Sequence, residues 1–298
     1  MKYSVLSSCS SGNSIYVESG DTRILVDAGL SCKELCSRLD IVFNERPYTI
    51  DASKRLASVK PFNEDGSCFT GKINQVDVLS RLNGICITHE HDDHVKAVDK
   101  LSKKCSVPLY ATFNTAEYLN YSFFKDNPDK YFALPWNVIT ECSEFMIGCL
   151  KITPFTIPHD VSGPVAYVID DGVHKLGIAT DFGVPTELVK LFLTDCDALV
   201  LEFNHDLDML MESDRDWALK CRVKGDRGHL SNVQAQQLLT QIATERLQSV
   251  FLAHISYDCN TLPLAHNSCF ETLKKLGKSE KVKIYNPYEH ICQLMELE

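Results

Sequence analysis

Apolar positions along this chain come in short runs, each followed by polar punctuation. "KYSVLSS" at residues 2–8 and "SIYVESGDTRILVDAG" at 14–29 alternate as short strands do, with "GDT" as a hairpin tip. "LSCKELCSRLD" has helical spacing. Residues 43–75 have no clean period and hold Pro, Gly, Asn and Asp, so they read as an insertion or long loop. Beyond them strands and helices alternate. "LNGICIT" is a strand and "HVKAVDKLSKKC" a helix; "VPLYAT" is a strand and "FNTAEYLNYSFF" a helix. "FMIGCLKITPFTI", "GPVAYVIDD" and "HKLGIATD" follow as strands. "VPTELVKLFLTDC", "SNVQAQQLLTQIATERL" and "SCFETLKKLG" are helices set among the strands "ALVLEFN", "SVFLAHIS", "KVKIYNP" and "HICQLMEL". Hairpins and strand–helix units occur in both halves. The pattern predicts an α/β (α+β) fold of mixed sheets with helices packed outside.

The polar punctuation after the strands is unusually rich in imidazole. His89, His91 and His94 follow "GICIT", His159 follows "ITPFTIP", His205 follows "ALVLEFN", and His254 follows "VFLA". Strand ends suit catalytic groups, because the sheet fixes their position while loops leave them accessible. Composition adds limits. The chain has 298 residues, 44% hydrophobic and 23% charged, as ordinary globular proteins do. Its start has no long apolar stretch of the signal-peptide kind, and no run of about 18 apolar residues predicts a membrane span. The 13 cysteines are scattered and odd in number, without a C-x-x-C pair. They read as reduced thiols of a cytoplasmic protein. A net charge of -10 disfavours a broad basic nucleic-acid face but leaves a metal-assisted nuclease open.

The stretch "THEHDDH", residues 88–94, puts three histidines beside three carboxylates. Neutral imidazole and carboxylate suit zinc, iron or manganese. Four donors on so tight a turn are hard to wrap around one ion. Two divalent ions sharing a carboxylate fit better: His89 and His91 to one, Asp93 and His94 to the other, with Asp181 as bridge. His159 would complete the first set and His254 the second. Taken singly, each downstream residue reads as a turn or strand-end group; together they read as one site.

These residues carry a resemblance. "THEHDDH" resembles the H-x-H-x-D-H signature of the metallo-beta-lactamase superfamily. "ILVDAGL" is similar to its first motif, with Asp27 orienting a ligand from behind, and His159, Asp181 and His254 match its later motifs in order. The resemblance implies an αββα sandwich over 1–298. More narrowly, "SSCSSGNSIYVE", "LEFNHDLDML" and "LKCRVKGDRGHLSN" resemble the YycJ or WalJ group, similar to ribonuclease Z and the phosphodiesterase PhnP. That likeness implies a 5′-to-3′ DNA exonuclease, acting by attack of a metal-bridging hydroxide. Two departures stand out: the 43–75 insertion is long, and "YDCNTLP" replaces paired asparagines. The alternative is a hydrolase of a small substrate, such as a cyclic phosphodiester, thioester or lactam. A flavin-linked di-iron protein is disfavoured, since His91 stands where those relatives carry Glu.

Expulsion of an alkoxide from a phosphodiester calls for a proton donor. His229, with Glu202 or His205, is the candidate; the other reading of His229 is a residue next to a helix cap at Ser231 or Asn232. In this acidic chain the strip of Lys220, Arg222, Lys224 and Arg227 is the best candidate for phosphate contact, and otherwise a solvated loop or edge strand. Asn13, in the turn "SSGNS", is a further candidate for substrate contact. Glu90 and Asp92 fall outside the expected ligand set.

Overall fold

The computed structural model describes residues 1–53, 56–63, 65–67, 69–126 and 134–298. Part of the 43–75 segment therefore lies outside the described residues. The chain opens with an antiparallel meander of β1 (Lys2–Cys9), β2 (Gly12–Ser19) and β3 (Thr22–Val26). Helix α1 (Cys32–Phe43) starts at an N-cap, Ser31, whose hydroxyl accepts from Glu34 N. β4 (Tyr48–Asp51) and β5 (Ser58–Pro61) pair as a small hairpin within the 43–75 segment, and α2 (Gln75–Leu79) follows. β6 (Gly84–Cys86) then joins β3 in parallel. After α3 (Asp92–Val95) and α4 (Val98–Lys104), β7 (Leu109–Thr112) extends the parallel set. After α5 (Phe113–Asp126), β8 (Trp136–Ile139) completes it.

The second half repeats this plan. β9 (Phe145–Ile147), β10 (Leu150–Thr156), β11 (Val165–Asp170) and β12 (Lys175–Ala179) run antiparallel. α6 (Glu187–Leu193) leads to β13 (Ala198–Glu202), which is parallel to β12. α7 (Leu207–Glu212), α8 (Trp217–Lys224) and α9 (Asn232–Ile242) lead to β14 (Ser249–Ala253). α10 (Leu262–Lys275) leads to β15 (Lys283–Tyr285). β16 (Met295–Glu296) returns to the outer edge of β1. Each large sheet has seven strands.

Alternation along the strands builds the layers. Val165, Tyr167 and Ile169 of β11 share a core with the first sheet, whereas Ala166 and Val168 face the other way, onto α6, α9 and α10. Two mixed sheets thus meet face to face with helices outside, the αββα arrangement. Tyr167 Oη crosses the interface to Ile87 O at 2.7 Å, and Tyr3 Oη lies 2.9 Å from Ser249 Oγ.

Three local expectations change. The helix predicted from His94 to Cys105 is broken into α3 and α4, because Ala28, in the loop after β3, intervenes. Its N–H donates to His94 O at 2.7 Å and its carbonyl accepts from Ala97 N at 2.9 Å. The strip carrying Lys220, Arg222 and Lys224 is neither loop nor edge strand. It is helical, started by the Asp216 side chain accepting from Leu219 N. The closing strand expected over 290–297 contracts to β16.

Candidate metal centre

The residues of the centre lie in the segments that follow strands. His89 and His91 lie between β6 and α3, and Asp93 and His94 lie in the single turn of α3. His91 occupies the cap position of α3 but makes no capping bond; its ring turns instead to its neighbours. His159 follows β10, Asp181 follows β12 and His254 follows β14. Asp27, Asp181 and His254 have φ of 63°, 62° and 54°. This left-handed region is uncommon for residues with a side chain and gathers at functional sites. Gly29 lets the motif close: a Cβ there would lie 1.6 Å from Asp93 O.

Two triads form. His89 Nε2 is 3.0 Å from His91 Nδ1, which is 3.3 Å from His159 Nε2. Beside them, Asp93 Oδ2 is 3.6 Å from His94 Nε2 and 3.8 Å from His254 Nε2. Asp181 adjoins this second triad, with Oδ2 3.4 Å from His94 Nε2 and Oδ1 3.4 Å from His254 Nε2, and it also groups with His89 and His94, their ligand atoms within 4.8 Å of one another. Ligands about 2.1 Å from a tetrahedral ion stand roughly 3.4 Å apart, so these separations fit a shared cation. Buried atoms left without a hydrogen-bond partner point the same way: Asp181 Oδ2 and His254 Nε2 are both orphaned. The donor set and its spacing fit metal ions.

The electrostatics favour positive charge. Burial drives His89 well below the usual histidine range and also lowers His159, leaving the neutral imidazoles that a metal requires. Burial also opposes charge on His94 and His254. There the surrounding carboxylates prevail, Asp27 and Asp181 at His94 and Asp181 at His254, and hold both well above that range. Burial acts to raise Asp181, yet His254 and His94 hold it well below the carboxylate range. The pocket thus collects cations, whether protons or metals.

Supporting groups surround the triads. Asp27 Oδ2 lies 2.7 Å from His94 Nδ1, and its oxygens accept from Thr88 N and Thr88 Oγ1 at 2.8 Å. Glu202 is fully buried. Its Oε1 accepts from His229 Nδ1 at 2.8 Å and its Oε2 from Phe182 N at 3.1 Å. Ser231, not Asn232, caps α9, with a capping box to Gln234. Glu90 points away from the triads, accepting from Ser162 N and Thr115 Oγ1.

Two expected site residues make no open contact. His205 is buried, both ring nitrogens lack hydrogen-bond partners among the described residues, and burial lowers it to about 4, with smaller effects from Glu202 and His229. Asn13, expected at a turn near the site, stands beside the centre. It is buried, and its Nδ2 lies 3.0 Å from both Asp93 Oδ2 and His94 Nε2. In the basic strip, Arg222 Nε donates to Asp160 Oδ2, Lys220 Nζ donates to Met211 O, and Lys224 lies over the Trp217 ring. Sequence reasoning missed Asn204 and Ser8. Asn204 Nδ2 donates to His254 O at 2.9 Å, and Ser8 Oγ accepts from His254 N at 2.8 Å. Both lay inside quoted motifs, Ser8 in "SSCSSGNSIYVE" and Asn204 in "LEFNHDLDML", but nothing in the sequence pointed them at His254. Asn260, in the departing "YDCNTLP", is a buried staple donating to Phe203 O and Asn204 O.

Comparison with known proteins agrees with this geometry. Residues 22–255 match the family model of the beta-lactamase superfamily domain. The chain is 30% identical to the exodeoxyribonuclease YycJ of Bacillus anthracis, over 93% of this chain and 90% of that protein. It is 29% identical to the exodeoxyribonuclease WalJ of Streptococcus pneumoniae, over 96% and 93%. The crystal structure of Zn(2+)-bound PqqB from Methylobacterium extorquens superposes with a TM-score of 0.63 at 15% identity, covering 100% of both chains. Among the described residues, no helix is long and apolar enough to cross a membrane.

Proposed function

The chain belongs to the beta-lactamase superfamily, in its YycJ/WalJ-like group, and from that premise we propose that it is a metal-dependent phosphodiesterase cleaving nucleic acid, DNA first, as a 5′-to-3′ exonuclease. The observation that carries the reading is the pair of facing triads joined by Asp181, with orphaned buried atoms aimed between them. His89, His91 and His159 would hold one divalent ion, Asp93, His94 and His254 a second, and Asp181 both. Zinc, manganese and iron all suit these donors. Such ions neutralise a phosphodiester and supply hydroxide near neutral pH.

The chain's own residues do the rest. Asp27 fixes the His94 ring so that Nε2 faces Asp93 and Asp181. Glu202 accepts from His229 Nδ1 and stabilises the imidazolium, which leaves Nε2–H as the proton for the departing alkoxide. This His–Glu pair favours a phosphodiester over a thioester, whose thiolate leaves without a proton. Exposed Arg227 and the outer face of Arg222 offer charge for the flanking phosphates. We read residues 1–298 as one domain, since both sheets contribute to the centre and neither half of it is complete alone. The free thiols among the described residues support a cytoplasmic setting.

The test is turnover by metal-loaded protein on 5′-phosphorylated single- and double-stranded DNA, RNA and bis(p-nitrophenyl) phosphate. Progressive shortening of DNA from its 5′ end is expected. Cleavage of bis(p-nitrophenyl) phosphate alone, with every polynucleotide intact, would replace this reading with a small phosphodiester.

A further inference from the structure

Beside the centre, two adjoining hollows of about 470 and 530 Å³ share Asp92, Asp93, Val95 and Phe123 as lining. The first runs from His91 and Asp93 outward to Tyr118 and Arg222; the second adds Lys96. The aromatic wall comes from α5. Residues 118, 119, 122 and 123 recur at the spacing that lines one helical face, and all four border the first hollow. Tyr118 is 52% exposed, so part of its ring is open to a ligand in the first hollow.

We infer that this groove is a nucleobase subsite: the ring of Tyr118, backed by Phe123, stacks on an unpaired base next to the phosphate being cut. Its charge supports that occupant. Glu90 and Asp92 also line the groove, so a run of phosphates would be repelled there. An uncharged base between cationic ends is not. Lys96 is exposed on one side. On the other, Arg222 uses Nε for Asp160 and keeps its remaining N–H groups for a flanking phosphate. Stacking needs a free base face, so the groove selects single-stranded ends or ends that have frayed. A small phosphodiester without a base would leave the wall unused. The inference rests on the nuclease reading and names the form of nucleic acid that the centre receives.

Binding and cleavage are measured separately to test it. Metal-loaded wild type, Tyr118→Ala and Tyr118→Phe are titrated by fluorescence anisotropy with a cleavage-resistant phosphorothioate single strand. A second strand of the same length carries abasic 5′-terminal positions. Tyr118→Ala should bind the intact strand about tenfold more weakly, as loss of one stacked base does, and Tyr118→Phe should restore it. The abasic strand should bind wild type and Tyr118→Ala equally. Equal binding of the intact strand by wild type and Tyr118→Ala overturns the subsite, and so does an equal loss on both strands. Cleavage of unmodified DNA by wild type reports on the nuclease reading independently. Unchanged melting of Tyr118→Ala would exclude a folding defect.

Discussion

Asp27 and Asp181 grip opposite nitrogens of one imidazole: Asp27 Oδ2 lies 2.7 Å from His94 Nδ1 and Asp181 Oδ2 lies 3.4 Å from His94 Nε2. The two aspartates hold equivalent places in the repeated plan. Each follows the last antiparallel strand of its half, β3 or β12, and each is left-handed, at 63° and 62°. One orients the ring and the other shares its ligating side. Asp27→Asn keeps a carbonyl oxygen for Thr88 N but loses the charge that holds Nδ1–H. The expected outcome is a folded protein that holds metal about 10- to 100-fold more weakly, the usual cost of losing such a partner. Chelator competition followed by elemental analysis measures it. Metal retained at wild-type chelator concentrations would count against the assignment.

On the proposed assignment His229 donates a proton and is not a ligand, although its Nδ1 lies 3.6 Å from Asp181 Oδ1. His229→Ala leaves both triads intact, because Glu202 remains anchored by Phe182 N. Metal content should hold while kcat falls by about 10²- to 10⁴-fold, the range for general acid–base groups. His89→Ala should instead lose metal and activity together, since it removes the ring facing His91 Nδ1. Substrates with a better leaving group need less help from an acid, so the His229→Ala defect should shrink on bis(p-nitrophenyl) phosphate. A defect of equal size on both substrates would remove the acid role.

That these histidines and aspartates would gather was legible in sequence, because strand ends and H-x-H-x-D-H spacing are local features; the structure brings them into overlapping clusters able to hold metal. What sequence could not carry were contacts that depend on tertiary approach. The break between α3 and α4 arises from Ala28, 66 residues before His94 in the chain, capturing its backbone. His205 stands near Glu202 in sequence, yet neither of its ring nitrogens makes a hydrogen bond among the described residues. Tyr118 and Phe123 lie in "FNTAEYLNYSFF", which reads in sequence only as a helix, with no role for either ring. Only the packing of α5 next to His91 shows that one face of that helix borders the centre.

His205 should make the protein acid-sensitive. Burial lowers it to about 4, whereas an unfolded histidine titrates near 6.5. The unfolded chain therefore binds the proton more readily between those values. Stability is full above about pH 6.5, falls as pH drops through that window and levels off near 4. The loss at pH 5 is on the order of 2 kcal/mol. Urea unfolding of wild type and His205→Gln at pH 7 and pH 5 measures the difference. Gln has no proton to gain, so its drop between the two pH values should be smaller by about that amount. Parallel drops would mean that the ring takes up its proton while folded.

Within the basic strip, only part of the charge is placed for phosphate. Lys220 is engaged with Met211 O and Lys224 with the Trp217 ring, whereas Arg227 is exposed and makes no hydrogen bond or ion pair among the described residues. It lies two residues from His229, so a phosphate near the leaving group is within its neighbourhood. A side chain that neutralises one phosphate releases condensed counterions, and its removal lowers the slope of log affinity against log salt by about 0.7 for a single strand. Arg227→Ala should show that change and weaken all sequences alike, because phosphates carry no base information. Lys220→Ala should leave the slope where it is. Anisotropy titrations of the phosphorothioate strand from low to moderate salt give both slopes. An unchanged slope for Arg227→Ala, with a reduced one for Lys220→Ala, would move the phosphate track to the Met211 side of α8.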